Sequence, residues 1–287
     1  MDMETIEKRI QSAVLTKTDR KIADYIMDHL DTMGIETVTE MAKALETSDT
    51  SIIRLLRKLG YAGFADFKKQ MADRMVQQYR ETVENLSTGE KYLKSSSLLT
   101  KGNEITDVME KTVSNIQYTF VNLNPENLTA IANCLIKSKR KFIAGFRSTA
   151  ACSIYMYRKL ISFLPNVVNL QYAESEAIEK LTDITKSDCL VLYSFSRYSE
   201  INYTLLDMAK EAGARVVLIT DKPSSPLAGK ADFVISCAIV GAGVTNSYIV
   251  PICVSEVIVL LVSKMIKESD KRRINKLTEN IGRNRLY

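Results

Sequence analysis

The sequence predicts two domains of different class: an all-α helix-turn-helix bundle, then a mainly parallel α/β layer structure. Three observations carry this. Up to residue 80, apolar residues recur at helical spacing, with no strand-like run. From residue 141, short apolar runs alternate with helical stretches. The length of 287 residues is about that of two domains. Hydrophobic residues at 46% leave ample material for two cores, and charged residues at 25% are ordinary for a globular chain.

The N-terminal elements follow from their caps. Thr16 caps a helix with Ile22, Ile26 and Leu30 on one side. Thr37 and Glu40 form a T-x-x-E capping box ahead of Val38, Met41, Ala42 and Leu45, the stripe of a half-buried helix. Ser48 caps a further helix that ends at Gly60. Residues 81–103, rich in Ser, Thr, Gly and Lys, read as a linker. A helical pattern returns at Glu104 with Ile105, Val108, Met109, Val113 and Ile116, and Pro125 starts another helix to Leu135.

The α/β part rests on five runs: 141–146, 167–170, 189–195, 215–220 and 231–236. Buried strands alternating with helices mean βαβ units and a parallel sheet. Such sheets bind ligands where loops leave the carboxyl ends of strands. Those loops hold Arg147, Ser148 and Thr149, then Ser196 to Ser199, then Asp221 through Ala228.

The net charge of +5 says little, but its distribution says more. Within residues 50–80, Arg54, Arg57, Lys58, Lys68, Lys69, Arg74 and Arg80 face only Asp66 and Asp73. On the helix from Ser48, the apolar face is Ile52, Leu55, Leu56 and Leu59. The opposite face gathers Thr50, Ser51, Arg54, Arg57 and Lys58. A short helix, a tight turn and this amphipathic helix have the form of a helix-turn-helix, whose second helix enters the major groove. The alternative for such a helix alone is a solvated basic face. Candidate DNA contacts are Thr47, Ser48, Thr50, Ser51, Arg54, Arg57 and Lys58. Hydroxyls and Arg54 early in the helix suit base edges; Arg57 and Lys58 suit phosphates.

Ser48-x-x-Ser51-Ile52-x-Arg54-x-x-Arg57-Lys58-Leu59-Gly60, then Gly63-Phe64-x-x-Phe67-Lys68, resembles the helix-turn-helix of the RpiR/MurR family of bacterial regulators. Ser51 stands where Thr is usual, and Leu55 where an aromatic often sits. Ala209 to Thr220, Ser225-Pro226-Leu227-Ala228 and Ala231-Asp232 resemble the family's sugar isomerase (SIS) domain. The resemblance implies a five-stranded, mainly parallel α/β/α sandwich that takes phosphosugars. It implies residues 1–80 as the DNA-binding domain, 81–103 as linker and 104–287 as an effector-sensing and oligomerising domain. It also implies a double-stranded operator, a homodimer or homotetramer, a cytoplasmic location and no cofactor. The segment from Tyr248 to Ile266 is too interrupted by Pro251, Glu256 and Lys264 for a membrane span, and reads as a buried or subunit-joining helix.

The ligand loops depart from the family. The usual S-x-S-G-x-T phosphate cradle reads Ser194-Phe195-Ser196-Arg197-Tyr198-Ser199-Glu200, with Tyr198 in place of glycine. Candidate effector contacts are Arg147, Ser148, Thr149, Ser194, Ser196, Arg197, Tyr198 and Ser199. Either Arg147 and Arg197 replace backbone donors toward a phosphate or carboxylate, or the loop has lost phosphate binding and Arg197 pairs with Glu200 or another neighbour. A sugar acid or polyol derivative is the alternative to a sugar phosphate.

Other chemistry finds little support. The five cysteines, Cys134, Cys152, Cys189, Cys237 and Cys253, form no C-x-x-C pair, which disfavours zinc or a disulfide framework. The first ten residues carry charges where a signal peptide needs an apolar run. His29 lies in the helical part, and Glu174 and Glu176 read as a helix N-terminal turn rather than isomerase bases. No catalytic residue and no metal site is expected. An SIS-type domain that only oligomerises is the second reading, and a sugar-phosphate isomerase the third.

Overall fold

The computed structural model describes residues 6–28, 37–71, 90, 103–170, 173–266 and 268–283. Most of the expected linker and His29 lie outside the described residues. Contacts divide the chain into two compact units: Met1–Val121 with Val240–Asn246, and Asn122–Ile239 with Ser247–Tyr287.

The first unit begins with α1 (Ile6–Ser12), α2 (Lys17–Asp28), α3 (Val38–Ala44), α4 (Asp49–Lys58) and the helical residues 64–71, α5. Capping starts these helices where the sequence expects. The Thr16 hydroxyl accepts from the Asp19 N–H at 3.1 Å, and the Asp19 carboxylate accepts from the Thr16 N–H. Thr37 and Glu40 complete their reciprocal box ahead of α3. One core unites the five helices: Ile22, Ile26, Met41, Ile52, Leu55, Leu56 and Phe67 are each fully buried. Phe67 meets Tyr61 edge-on at 5.2 Å, which docks α5.

The 19-residue helix α6 (Glu104–Asn122) also belongs to this unit. Periodicity predicts its helicity, but not its covered face. Asn115 and Thr119 are buried, while Ile105 is 88% exposed and Val108 53%. The Asn115 amide donates to the Val240 carbonyl at 2.7 Å, which satisfies the buried polar group.

The second unit is a parallel sheet with helices. Its strands are β1 (Lys141–Ala144), β2 (Val167–Leu170), β3 (Cys189–Tyr193), β4 (Arg215–Thr220) and β5 (Phe233–Ser236). Their order is β2-β1-β3-β4-β5, all parallel. The helices are α7 (Pro125–Lys137), α8 (Ala150–Leu160), α9 (Glu174–Leu181), α10 (Glu200–Glu211), α11 (Ile249–Met265) and α12 (Glu268–Arg283). β1, β3 and nearly all of β4 are buried, as near-continuous apolar runs require. Among the described residues, no helix is long and apolar enough to cross a membrane. α11 buries Val250, Val254, Ile258 and Val262, and so serves as a core helix.

Candidate functional sites

The helix α4 separates its two faces as the spacing predicts. Ile52, Leu55 and Leu56 are buried, while Thr50, Arg54, Arg57 and Lys58 are exposed. The groups on its outer face differ in how far they are engaged. The Ser48 hydroxyl accepts from the Ser51 N–H at 3.2 Å, and the two hydroxyls lie 2.9 Å apart. Ser48 and Ser51 therefore hold the helix start. Thr47 sits in the preceding turn, its N–H bound to the Ala42 carbonyl. Arg57 Nε donates to the Ala62 carbonyl at 3.4 Å. Lys58 Nζ reaches the buried Asp19 carboxylate at 2.8 Å, tying the end of α4 to the start of α2. Burial opposes ionisation of Asp19, but Lys58 and the Thr16 N–H and hydroxyl outweigh it and hold its pKa below the usual carboxylate value.

The second site lies at the carboxyl end of the sheet. The chain leaves β1 toward β2 on one side and enters β3 on the other, so the β1 and β3 loops flank the point where strand order reverses. In open parallel sheets that crevice is the ligand position. After β1, a Cβ at Gly145 would stand 2.6 Å from the Thr149 carbonyl oxygen, so only glycine fits the turn. The Thr149 hydroxyl accepts from the Phe146 N–H at 2.9 Å and donates to the Phe146 carbonyl. Arg147 and Ser148 stay exposed.

After β3, Ser194 is buried, and its hydroxyl accepts from the Asn202 amide at 2.8 Å. The Ser196 hydroxyl and the Tyr198 phenol both donate to the Asp221 carboxylate, at 2.7 and 2.8 Å. Thr220 adds a third hydroxyl at 3.1 Å. Burial, then the Asp221 hydrogen bond, pushes the Tyr198 pKa up, so the phenol stays protonated as a donor. Arg197 is exposed, and Ser199 begins α10 without a side-chain cap.

Among the described residues, two of the four non-glycine residues with positive φ fall in these loops: Arg147 at 54° and Arg197 at 66°. Such backbone strain collects at ligand sites. The sequence reading missed Asp221 as a site residue, though it named the loop that begins there. Glu174 and Glu176 start α9, where Glu176 pairs with Lys180. Among the described residues, no group of three or more His, Cys, Asp or Glu could hold a metal ion.

Residues 3–78 match the helix-turn-helix domain of the rpiR family, and residues 134–261 match the SIS domain. The chain belongs to the RpiR family. An uncharacterised HTH-type transcriptional regulator of Caldanaerobacter subterraneus subsp. tengcongensis is 28% identical over 267 residues, 89% of each chain. An uncharacterised HTH-type regulator of Haemophilus influenzae is 26% identical over 77% of this chain and 75% of its own. Two solved structures share the fold. The sugar isomerase domain of an RpiR transcription factor from Sphaerobacter thermophilus has a TM-score of 0.59, at 21% identity, over 63% of this chain and 99% of its own. The Vibrio vulnificus NanR protein complexed with ManNAc-6P has a TM-score of 0.55, at 17% identity, over 96% of both chains. This RpiR-family chain is thus an HTH-type transcriptional regulator that binds DNA through its helical domain and carries a SIS domain.

Proposed function

We propose that the SIS domain senses a sugar phosphate or closely related anionic sugar, and that this ligand sets the affinity of the helix-turn-helix for its operator. The observation that carries the reading is Asp221. It is a buried carboxylate at the strand ends, held by Ser196 and Tyr198. It is bonded to the β3 loop, which carries Arg197, and the β1 loop, which carries Arg147, lies one strand further across the sheet; both arginines hold left-handed backbone. A carboxylate repels a phosphate but accepts sugar hydroxyls; guanidinium groups accept the anion. Tyr198 and Asp221 thus suit the hydroxylated body, and Arg147 and Arg197 the charged end. The ManNAc-6P complex of the NanR relative supports a sugar phosphate as the class.

On the DNA side, Thr50 and Arg54 are placed for base edges, with Arg57 for a phosphate. Thr47, Ser48 and Ser51 shape the helix start. Lys58, held by Asp19, orients α4 rather than contacting DNA. No step requires turnover of the ligand, and the regulator relatives favour sensing over catalysis.

A second reading has its own support. The hydroxyls of Thr149, Ser194 and Ser196 already have partners within the domain, as expected if the domain only joins subunits. A thermal-shift series separates the two. Sugar phosphates, sugar acids and polyols are added to the full chain, with Arg197→Ala and Tyr198→Phe in parallel. A ligand at about 100 times its Kd adds about 2.7 kcal/mol of stability. The sensing reading requires a sugar-phosphate shift that Arg197→Ala abolishes. No shift from any class leaves subunit joining as the role.

A further inference from the structure

A cavity of about 740 Å³ lies at the amino-terminal end of the sheet, opposite the strand-end loops. Its size is that of a small-molecule site. It is lined by the start of β1, the 163–166 segment before β2, and one side of α12. Four cations line it: Lys139, Lys141, Arg273 and Lys276. None of the described lining residues is acidic.

Lys141 is the unusual member. It is 2% exposed, yet among the described residues the one hydrogen bond of its ammonium group is to the Pro165 carbonyl, at 3.1 Å. An ammonium has three protons to place. The neighbouring carboxylate, Asp188, is already taken by Arg140 at 2.8 Å and by the Thr185 N–H and hydroxyl. Burial, with Arg273 adding to it, pushes the Lys141 pKa down, while Cys189 and Asp188 oppose the shift. A buried, incompletely paired cation facing a cationic cavity is costly unless an anion enters. The rest of the wall is mixed: Ser138, Asn166 and Asn280 are polar, while Ile136, Phe163, Leu164 and Leu277 form its apolar part.

We infer that this cavity is a second ligand site, separate from the strand-end site, for a small molecule with a phosphoryl head and an apolar body. The head sits among Lys139, Lys141, Arg273 and Lys276. The body lies on Phe163 and Leu277.

Calorimetric titration of the full chain with phenyl phosphate tests this, with glycerol phosphate as the same head on a polar body. Phenyl phosphate should bind at least about fivefold more tightly, because only its ring buries against the apolar wall. Lys139 and Lys276 are exposed, so the charge reversal Lys139→Glu/Lys276→Glu leaves the fold intact. It should weaken phenyl phosphate at least about tenfold, since hydrogen bonds to charged groups are the strong ones. Arg197→Ala, which removes the anion contact of the strand-end site, should leave phenyl phosphate binding at this cavity within about twofold. Lys141→Met should weaken binding similarly, while the unliganded protein melts no lower, because an incompletely paired buried charge has been replaced by an apolar chain. Undetectable phenyl phosphate binding at millimolar concentration would overturn the inference. So would binding that survives charge reversal, or binding lost with Arg197→Ala, which would assign the ligand to the strand-end site.

Discussion

Asp188 shows how much one carboxylate can organise. It accepts from the Arg140 N–H, Nε and guanidinium NH2, and from the Thr185 N–H and hydroxyl, so the starts of β1 and β3 are clamped together. Burial works against its ionisation, but these donors outweigh it and hold the pKa at about 2, below the ordinary 3.8. A depressed pKa contributes stability that is present above the unfolded value and lost as pH falls toward 2. Asp188→Asn should therefore cost about 2 kcal/mol at pH 7 and flatten the fall in stability between about pH 4 and 2, read by urea unfolding across that range. Two cations on α4 divide in a similar way. Arg54→Ala should cost about 1–3 kcal/mol of operator binding and leave the melting temperature unchanged. Lys58→Met should leave Asp19 buried without its cation and lower stability by about 1–3 kcal/mol; unchanged melting would refute the clamp. Neither pairing was legible in the sequence. Lys58 and Asp19 are 39 residues apart, and Tyr198 and Asp221 are 23 apart. Residue types announce a donor or an acceptor, but only the fold chooses the partner.

Elements were far more legible, because the signals that make them are local. The cap residues Thr16, Thr37 and Ser48 all serve as read. The five apolar runs all became strands; β1 and β3 end two residues early, where the chain turns into the ligand loops, and β5 starts two residues late. What periodicity withheld was environment. Ile105, Val108 and Met109 mark α6 as a helix, yet stand exposed, while polar Asn115 is buried against Val240. Helix ends reveal a second gap. α4 stops at Gly60, φ 89°, with the Gly60 N–H on the Arg57 carbonyl and the Tyr61 N–H on Leu56. α3 stops with the same pair of bonds, from Glu46 to Lys43 and from Thr47 to Ala42, but Glu46 occupies the left-handed position at φ 49°. An L-residue there is strained, and a negative charge at a helix C-terminus opposes the dipole. Glu46→Gly should raise stability by about 1 kcal/mol, measured by chemical unfolding; a loss would mean the turn draws on the Glu46 side chain.

At the scale of the molecule, the two units bring different chemistry. One presents a basic helix face whose orientation is fixed by caps and by Lys58. The other presents two loops at a strand-order switch, each with a strained arginine, and beside them a third that brings a buried carboxylate. Regulation requires that a ligand bind the DNA-competent and incompetent states with different affinity, and the coupling is reciprocal. The sequence indicated both ends of this linkage through the α4 spacing and the altered loop from Ser194 to Glu200. The decisive measurement is the affinity of the full chain for the duplex it selects from a randomised pool, by fluorescence anisotropy, with and without the sugar phosphate that most raises its melting temperature. If the ligand sets operator affinity, Kd changes by at least about fivefold, and the change is lost in Arg197→Ala. An affinity that is the same with saturating sugar phosphate as without it would mean that the SIS domain does not regulate DNA binding through such a ligand.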